Sequence, residues 1–351
     1  ERVYLHVGPH KTGTTYVQSL LMANRDRLAE QGVLFPRKTF GGQSRAVREL
    51  LGEKAMPTGR AVEGQWGKAL DELAGWDGAA AVFSHETLSG ATPSQIGAIR
   101  ASLQAYDLHV IYTARDLARV APAMWQTGLR GRQHFTWQTY AGSLRRPGPG
   151  RRGGAGRRFW YNQDAPAVLE RWSKKLPVEN LHVVTVPRPG NPPELLWQRF
   201  CTALGVDPAG HDLTPRRSNP SLGTAESELL RRVNEALAET DLDNAQWVHW
   251  MRWLGRRLEI REDMARYTLP AEDLGWLTRR ANGVIDGIRA GGYDVVGDLD
   301  DLVPQPVPAG QARHPSDTSD EAVLTVAVDA VRRLVEHLAE QRADDDRDGQ
   351  Q

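Results

Sequence analysis

The sequence predicts an α/β fold: a central parallel sheet flanked by helices, with a helical C-terminal part. Three observations carry that expectation. Short Val-rich runs alternate with stretches of helical period through residues 3–206. Those runs are apolar at consecutive positions, as strands covered on both faces are. Hydrophobic residues make up 40% and charged residues 25% of the 351, enough for a sizeable core beneath a solvated surface.

The elements follow in order. Val3 to Val7 (VYLHV) reads as a strand running into a Gly/Pro/Thr turn. Val17, Leu20, Leu21, Asn24 and Leu28 recur at helical spacing and predict a helix over Thr14–Gln31, closed by Gly32. Val33 to Phe35 is a brief strand stopped by Pro36. Helices are expected over Ser44–Leu51 and Glu63–Leu73, a strand at Ala80–Ser84, and another at Leu108–Thr113. Helices near Leu117–Arg130 and Ala165–Lys174 precede a last clear strand, Leu181–Val186 (LHVVTV). In the helical block that follows, Trp250, Trp253 and Leu254 share a face, and tryptophan at helical spacing predicts core packing. The expected organisation is an α/β core over 1–223 and a helical part over 224–302 packed on it. A Pro-rich linker, an amphipathic helix and a disordered acidic tail fill 303–351. The helix stripe there is Val323, Val326, Ala327, Ala330 and Leu334, and the tail begins at Arg342. The run Arg145 to Arg158, with six arginines among glycines and prolines, is expected to be mobile: a solvated insertion or a lid over an anionic acceptor.

Composition excludes several classes. Lys+Arg and Asp+Glu both number 44, so the chain has no net charge with which to bind nucleic acid by bulk attraction. A single cysteine, Cys201, rules out an intramolecular disulfide framework and a cysteine metal cluster. No apolar run approaches the roughly 18–20 residues of a membrane span. The opening ERVYLHVG reads as a strand, not as a secretory signal, so a cytoplasmic protein is expected.

The strongest chemical signal is Gly8-Pro9-His10-Lys11-Thr12-Gly13-Thr14-Thr15. It lies between a strand and a helix, where backbone N–H groups and the helix dipole bind phosphate. Gly8 and Gly13 permit close backbone approach, Thr14 and Thr15 offer hydroxyls, and Lys11 supplies a compact positive charge. Lysine occurs only six times in the chain, which makes its presence in this loop notable. The order differs from the nucleoside-triphosphatase loop, in which lysine follows the second glycine. Neither AAVFS nor LHVIYT ends in an obvious metal-holding aspartate.

HVGPHKTGTTYVQSLL resembles the 5′-phosphosulfate-binding loop of sulfotransferases that use 3′-phosphoadenosine 5′-phosphosulfate (PAPS), a resemblance extending from residue 3 to about residue 223. It implies a P-loop-kinase-like parallel sheet and metal-free sulfuryl transfer that leaves adenosine 3′,5′-bisphosphate. It also implies that Lys11 touches the bridging oxygen and that the backbone of Thr12 to Thr15 holds the 5′-phosphate. The family's second motif places an arginine at the end of a strand and a serine eight residues later, both on the 3′-phosphate. VIYTARDLARVAPAMWQ supplies Arg115, but the position eight on is Ala123, a departure that removes one hydroxyl. A third element, Arg216-Arg217-Ser218-Asn219-Pro220-Ser221-Leu222-Gly223, resembles the late loop that covers the cofactor. Arg217, Ser218, Asn219, Ser221 and Gly223 are its candidate contacts; a polar cap for the helix at Thr224 is the simpler reading of the same residues.

Transfer also needs a base. Ser84-His85-Glu86-Thr87 closes a strand at the sheet edge where α/β folds bind ligands. Glu86 is favoured and His85 stands second, with His10 a candidate for touching the acceptor or the sulfate. Trp160, Tyr161, Gln163 and Asp164 are candidates for an acceptor pocket. The acceptor is a small molecule, carbohydrate or lipid whose class the sequence leaves open, as it does the oligomeric state. Two alternatives stand beside this reading: a catalytically weak nucleotide-binding module of the same fold, favoured by Ala123, and a P-loop kinase using ATP.

Overall fold

The computed structural model describes residues 1–37, 39–147, 154–214, 222–258, 267–307 and 318–348, with side chains as far as 342. In chain order the first elements are β1 (Arg2–His6), α1 (Thr14–Ala23), α2 (Arg25–Glu30), β2 (Val33–Leu34), α3 (Phe40–Leu50), α4 (Gln65–Ala74) and β3 (Ala80–Ser84). Next come α5 (Pro93–Ser102), β4 (Asp107–Ala114), α6 (Leu117–Leu129), α7 (Trp137–Arg145), α8 (Gly154–Gln163), α9 (Ala165–Ser173) and β5 (Leu181–Thr185). The remainder are α10 (Leu195–Leu204), α11 (Thr224–Leu237), α12 (Asn244–Leu258), α13 (Ala271–Gly291), β6 (Asp294–Val296) and α14 (Asp320–Asp348).

The chain divides into two compact units. The first, Glu1–Ala121, Ala141–Asn219 and Leu274–Gln305, holds the sheet. Its strand order is β2-β3-β1-β4-β5-β6, and every neighbouring pair is parallel. The expected α/β class and parallel sheet are therefore present. β1 lies between β3 and β4, with His6 level with Ser84 on one side and Ile111 on the other. From β1 the chain runs to β2 at the sheet edge, returns to β3 beside β1, then crosses to β4 on the other side of β1, so the C-terminal end of β1 is the switch point where such sheets bind ligands. Alternate residues supply two apolar faces. Val3, Leu5, Ala81, Phe83, Val110 and Tyr112 lie in one core; Tyr4, Val82, Ile111 and Val184 join Leu20, Leu21, Trp197 and Phe200 in the other.

The second unit, Pro122–Tyr140, Pro220–Asp273 and Pro306–Gln351, is helical. Trp125 and Trp137 meet edge to face, and the Trp137 indole donates to Asp273 at 2.7 Å. Asn234 of α11 donates to the carbonyls of Leu129 and Gln133, which locks the turn after α6. Both α11 and α12 pack against α14.

Several expected elements differ. The helix expected over Thr14–Gln31 breaks at Asn24. That side chain is buried, donates to the Leu20 and Asp212 carbonyls and accepts from the Asp212 N–H, taking the place of the next helical turn. β6 was not foreseen, because its two valines make a run too short to carry a strand signal. The buried stripe of α12 is Trp247, Met251, Gly255 and Leu258, not Trp250 with Trp253 and Leu254. Trp247 is drawn inward by its indole bond to the Gly131 carbonyl, which leaves Trp250 exposed. The Arg/Gly/Pro run is in part helical: α8 begins at Gly154, and Gly156 lies so close to the Ser143 carbonyl that a side chain would collide with backbone. Residues 148–153 of that run lie outside the described residues. α14 continues past Arg342 to Asp348, into the segment where a disordered tail was expected.

Candidate functional site

The loop from Val7 to Gly13 crosses the C-terminal edge of the sheet and is shaped by close packing. Gly8 is obligatory: a Cβ there would overlap the Thr113 hydroxyl and crowd the His6 ring. Gly13 is left-handed, with φ 85°, and a Cβ would press into Leu196. Lys11 is left-handed too, at φ 70°, a conformation that a residue with a Cβ adopts at a cost of about 1–2 kcal/mol. The surroundings hold it there. The Thr12 hydroxyl donates to the Pro9 carbonyl at 2.7 Å and meets the Thr113 hydroxyl at 2.8 Å. Arg115 donates from Nη1 to the Lys11 carbonyl at 2.8 Å, and Gln163 donates to the His10 carbonyl at 2.8 Å.

Beneath the loop, His6 bridges Ser84 (2.7 Å) and Thr113 (3.2 Å), joining β1 to both neighbours. Its burial pushes the ring down to about 3, so it is a neutral strut at physiological pH. The result is a rigid floor on which the backbone N–H groups at the start of α1 point outward. That helix has no side-chain cap and no acidic residue in its first turn. The hydroxyls of Thr14 and Thr15 have no hydrogen-bond partner among the described residues. Unfilled donors and the positive end of a helix dipole make an anion site.

Arg115 supplies a second positive group. It follows β4, its burial lowers its pKa to about 10, with Arg119 adding in the same direction, and it stays charged. Its Nε is buried without a hydrogen-bond partner. The neighbouring Asp116 makes no hydrogen bond to it: Asp116 accepts from the Ala118 N–H and pairs with Arg119 at 3.4 Å. Arg115 and Gln163 line one small pocket together with Tyr112 and Leu117. Ala123 lies two turns along α6, and the nearest hydroxyl on that helix, Thr127, donates to the Ala123 carbonyl and so does not replace the missing serine.

The two candidate bases are separated by geometry. The sequence placed both on a strand, but β3 ends at Ser84, His85 caps a short 3₁₀ turn over Glu86–Gly90, and Glu86 opens it. Both nitrogens of His85 are engaged, Nε2 by Ser44 at 2.8 Å and Nδ1 by Thr87 at 2.7 Å, and the residue is buried. Glu86 instead faces the loop. Its Oε2 accepts from Gln18 at 3.2 Å and its Oε1 lies 3.8 Å from His10, with 21% of the side chain exposed. Burial works against its charge, but His85, His10, its own backbone N–H and Gln18 outweigh it and pull the carboxyl down to about 2. The dense protein around His10 lowers its pKa, although 45% of the side chain meets solvent, and burial does the same for His85.

Lys11, Thr12, Thr14, Thr15, Arg115, His10 and Glu86 thus belong to the C-terminal edge of one sheet around one loop. Gly223 is described as the extended residue preceding α11, in the second unit, and Ser227 donates to its carbonyl. Arg216, Arg217, Ser218, Asn219 and Ser221 lie outside the described residues. Of the expected acceptor-pocket residues, Trp160 is buried and donates to the Leu144 carbonyl, and Asp164 caps α9. Gln163 braces the loop, and Tyr161 is exposed under the Arg171 guanidinium. Sequence reasoning missed His6, Thr113, Gln18 and the bracing role of Gln163. A polar residue on a buried face was the available sign for each. The lone Cys201 is buried, and burial pushes its thiol up to about 12. Among the described residues no His/Cys/Asp/Glu group has the geometry to hold a metal, and no helix is long and apolar enough to cross a membrane.

Among solved structures, the chain is similar to a sulfotransferase from Alicyclobacillus acidocaldarius, with 16% identity, 70% of this chain and 95% of that chain covered, and a TM-score of 0.41. No family profile matches the sequence. No curated protein matches it.

Proposed function

We propose that the chain is a sulfotransferase that moves the sulfuryl group of PAPS to a hydroxyl or amine of a small-molecule, carbohydrate or lipid acceptor. The observation that carries this reading is the strained loop over the uncapped start of α1, with the partly unsatisfied, buried guanidinium of Arg115 beside it. The two features suit a nucleotide bearing phosphates at both ends of its ribose. In this reading the N–H groups of Thr12 to Thr15 hold the 5′-phosphate and Arg115 takes the 3′-phosphate. The acceptor oxygen attacks sulfur in line, the bond from sulfur to the 5′-phosphate oxygen breaks, and its electron pair stays on the phosphate. Lys11 offsets the charge that gathers there. Glu86, ionised and turned toward the loop, receives the acceptor's proton; a carboxylate this acidic takes it late, as the new bond to sulfur forms. His85, held by Ser44 and Thr87, positions the turn that carries Glu86. The transfer as written needs no metal.

A kinase is the weaker reading, because Asp116, the carboxylate nearest the end of β4, is engaged by Ala118 and Arg119. The test is calorimetry with adenosine 3′,5′-bisphosphate against ATP plus magnesium, followed by sulfate transfer to a panel of hydroxylated and amino acceptors. Preference for the bisphosphate with transfer from PAPS, both lost in Lys11→Ala, is expected. Tighter binding of ATP, or bisphosphate binding without transfer to any acceptor, would replace this reading by the kinase or the binding module.

A further inference from the structure

We propose that α14 is a dimerisation helix, pairing antiparallel with the same helix of a second copy of this chain. The helix has two apolar stripes. One, Val323, Val326 and Ala330, is buried in its own unit, where α11 and α12 pack. The other is Leu324, Val328, Val331, Val335 and Leu338, exposed at 63%, 62%, 59%, 61% and 45%. These five lie at intervals of four, three, four and three, the seam of a two-helix interface. They are also five of the nine large apolar side chains that the described residues expose.

The area matches a second copy. Together the five offer on the order of 450 Å² of apolar surface, in the upper range of single patches on monomers. Two copies with their flanking side chains bury about 1,200 Å², the lower end of stable interfaces. The stripe is also self-complementary. Reading Leu-Val-Val-Val-Leu outward from Val331, an antiparallel partner sets Leu324 against Leu338 and Val328 against Val335. It brings Arg342 of each chain toward Asp320 and Glu321 of the other, whereas a parallel pair would set Arg342 against Arg342 and Glu321 against Glu321. A lipid surface fits less well: residues 320–348 carry nine acidic against four basic residues, and the stripe has no aromatic anchor. Nor can residues 308–317 cover it, because PAGQARHPSD has no large apolar side chain, and 259–266 offers only Ile260 and Met264 for five positions.

The test is sedimentation velocity of the full chain across micromolar concentrations. Dimer is expected for the natural chain. Val331→Glu, an exposed position, should be monomeric and still unfold cooperatively, at a midpoint that no longer rises with protein concentration; should that variant fail to fold, Val328→Thr keeps the shape and should weaken the dimer at least several-fold. A mixture of Leu324→Cys and Leu338→Cys chains should form a disulfide between unlike chains. A monomer at every concentration overturns the proposal, whether or not it binds vesicles of phosphatidylcholine and phosphatidylglycerol, as does a Val331→Glu chain that stays dimeric. Efficient disulfides between like Leu324→Cys chains overturn the antiparallel arrangement.

Discussion

Replacing Gly8 by alanine adds one methyl group at the point where β1 leaves the sheet, and the surrounding structure sets the penalty. The new Cβ would overlap the Thr113 hydroxyl and stand 2.6 Å from His6 Nε2. Neither neighbour is the free end of a flexible chain. Thr113 and His6 are fully buried, and each is bonded on its other side, Thr113 to Thr12 and His6 to Ser84. Overpacking a rigid site of this kind costs about 1–3 kcal/mol. Breaking the His6–Thr113 contact adds about 1 kcal/mol, the net value of one hydrogen bond. The expected loss of stability is therefore about 2–4 kcal/mol, read as a lower urea midpoint with an unchanged slope. Because Thr12 is tied to Thr113, the displacement passes into the loop, and bisphosphate affinity should fall at least tenfold. Gly67→Ala is the control: it is an exposed glycine in α4 with nothing within 4 Å of a new Cβ, and it should gain about 0.5–1 kcal/mol. A Gly8→Ala chain with natural stability and affinity would refute the packing described for the loop.

Arg115→Gln should reduce the affinity for adenosine 3′,5′-bisphosphate about 10- to 100-fold, the range of one charge-assisted hydrogen bond. Affinity for adenosine 5′-phosphate should barely change, and equal losses for both nucleotides would remove Arg115 from the 3′-phosphate. Glu86→Gln should lower turnover about 10²–10⁴-fold at nearly constant bisphosphate affinity, whereas His85→Gln should mainly lower the unfolding midpoint; rates falling equally in both variants would contradict the division of roles. Acid should destabilise the sheet unit steeply. His6 stays neutral in the fold down to about 3 while the unfolded chain gains its proton near 6.5, so stability present above pH 6.5 is lost as pH falls, by about 1.4 kcal/mol per unit. The lowered pKa values of His10 and His85 act in the same direction, and Glu86, pulled down to about 2 from 4.5, adds its share below pH 4.5. Urea titrations from pH 7 to pH 4 should show that slope, and His6→Asn should flatten it; an unchanged slope in the variant would assign the loss elsewhere.

The layout of the sheet was legible because buried parallel strands write themselves as contiguous apolar runs. AAVFS is β3 at its observed bounds, LHVIYT lies within β4, and LHVVTV covers β5 and overruns it by Val186 alone. The loop after β1 was legible for a related reason: its glycines, lysine and threonines act locally, through the backbone of one turn. What escaped was set at long range. Asn24 sits on the apolar stripe of one expected helix, and nothing nearby in sequence shows that its amide is claimed by Asp212. His6 and Thr113 are 107 residues apart, yet they decide that residue 8 has no side chain. The face of α12 was misjudged because spacing alone gives Trp247 and Trp250 equal standing, and only the carbonyl of Gly131 distinguishes them. Glu86 was favoured over His85 on paper, but nothing nearby in sequence gave the physical reason; Ser44 and Gln18, from two different helices, supply it.

The central claim is that the turn after β1 receives the 5′-phosphate of a doubly phosphorylated adenosine nucleotide. A crystal structure of the chain with adenosine 3′,5′-bisphosphate tests it most directly. The expected result is a 5′-phosphate within hydrogen-bond distance of the N–H groups of Gly13, Thr14 and Thr15, with the 3′-phosphate on Arg115. Nucleotide bound elsewhere, or a 5′-phosphate turned away from residues 11–15, would contradict it.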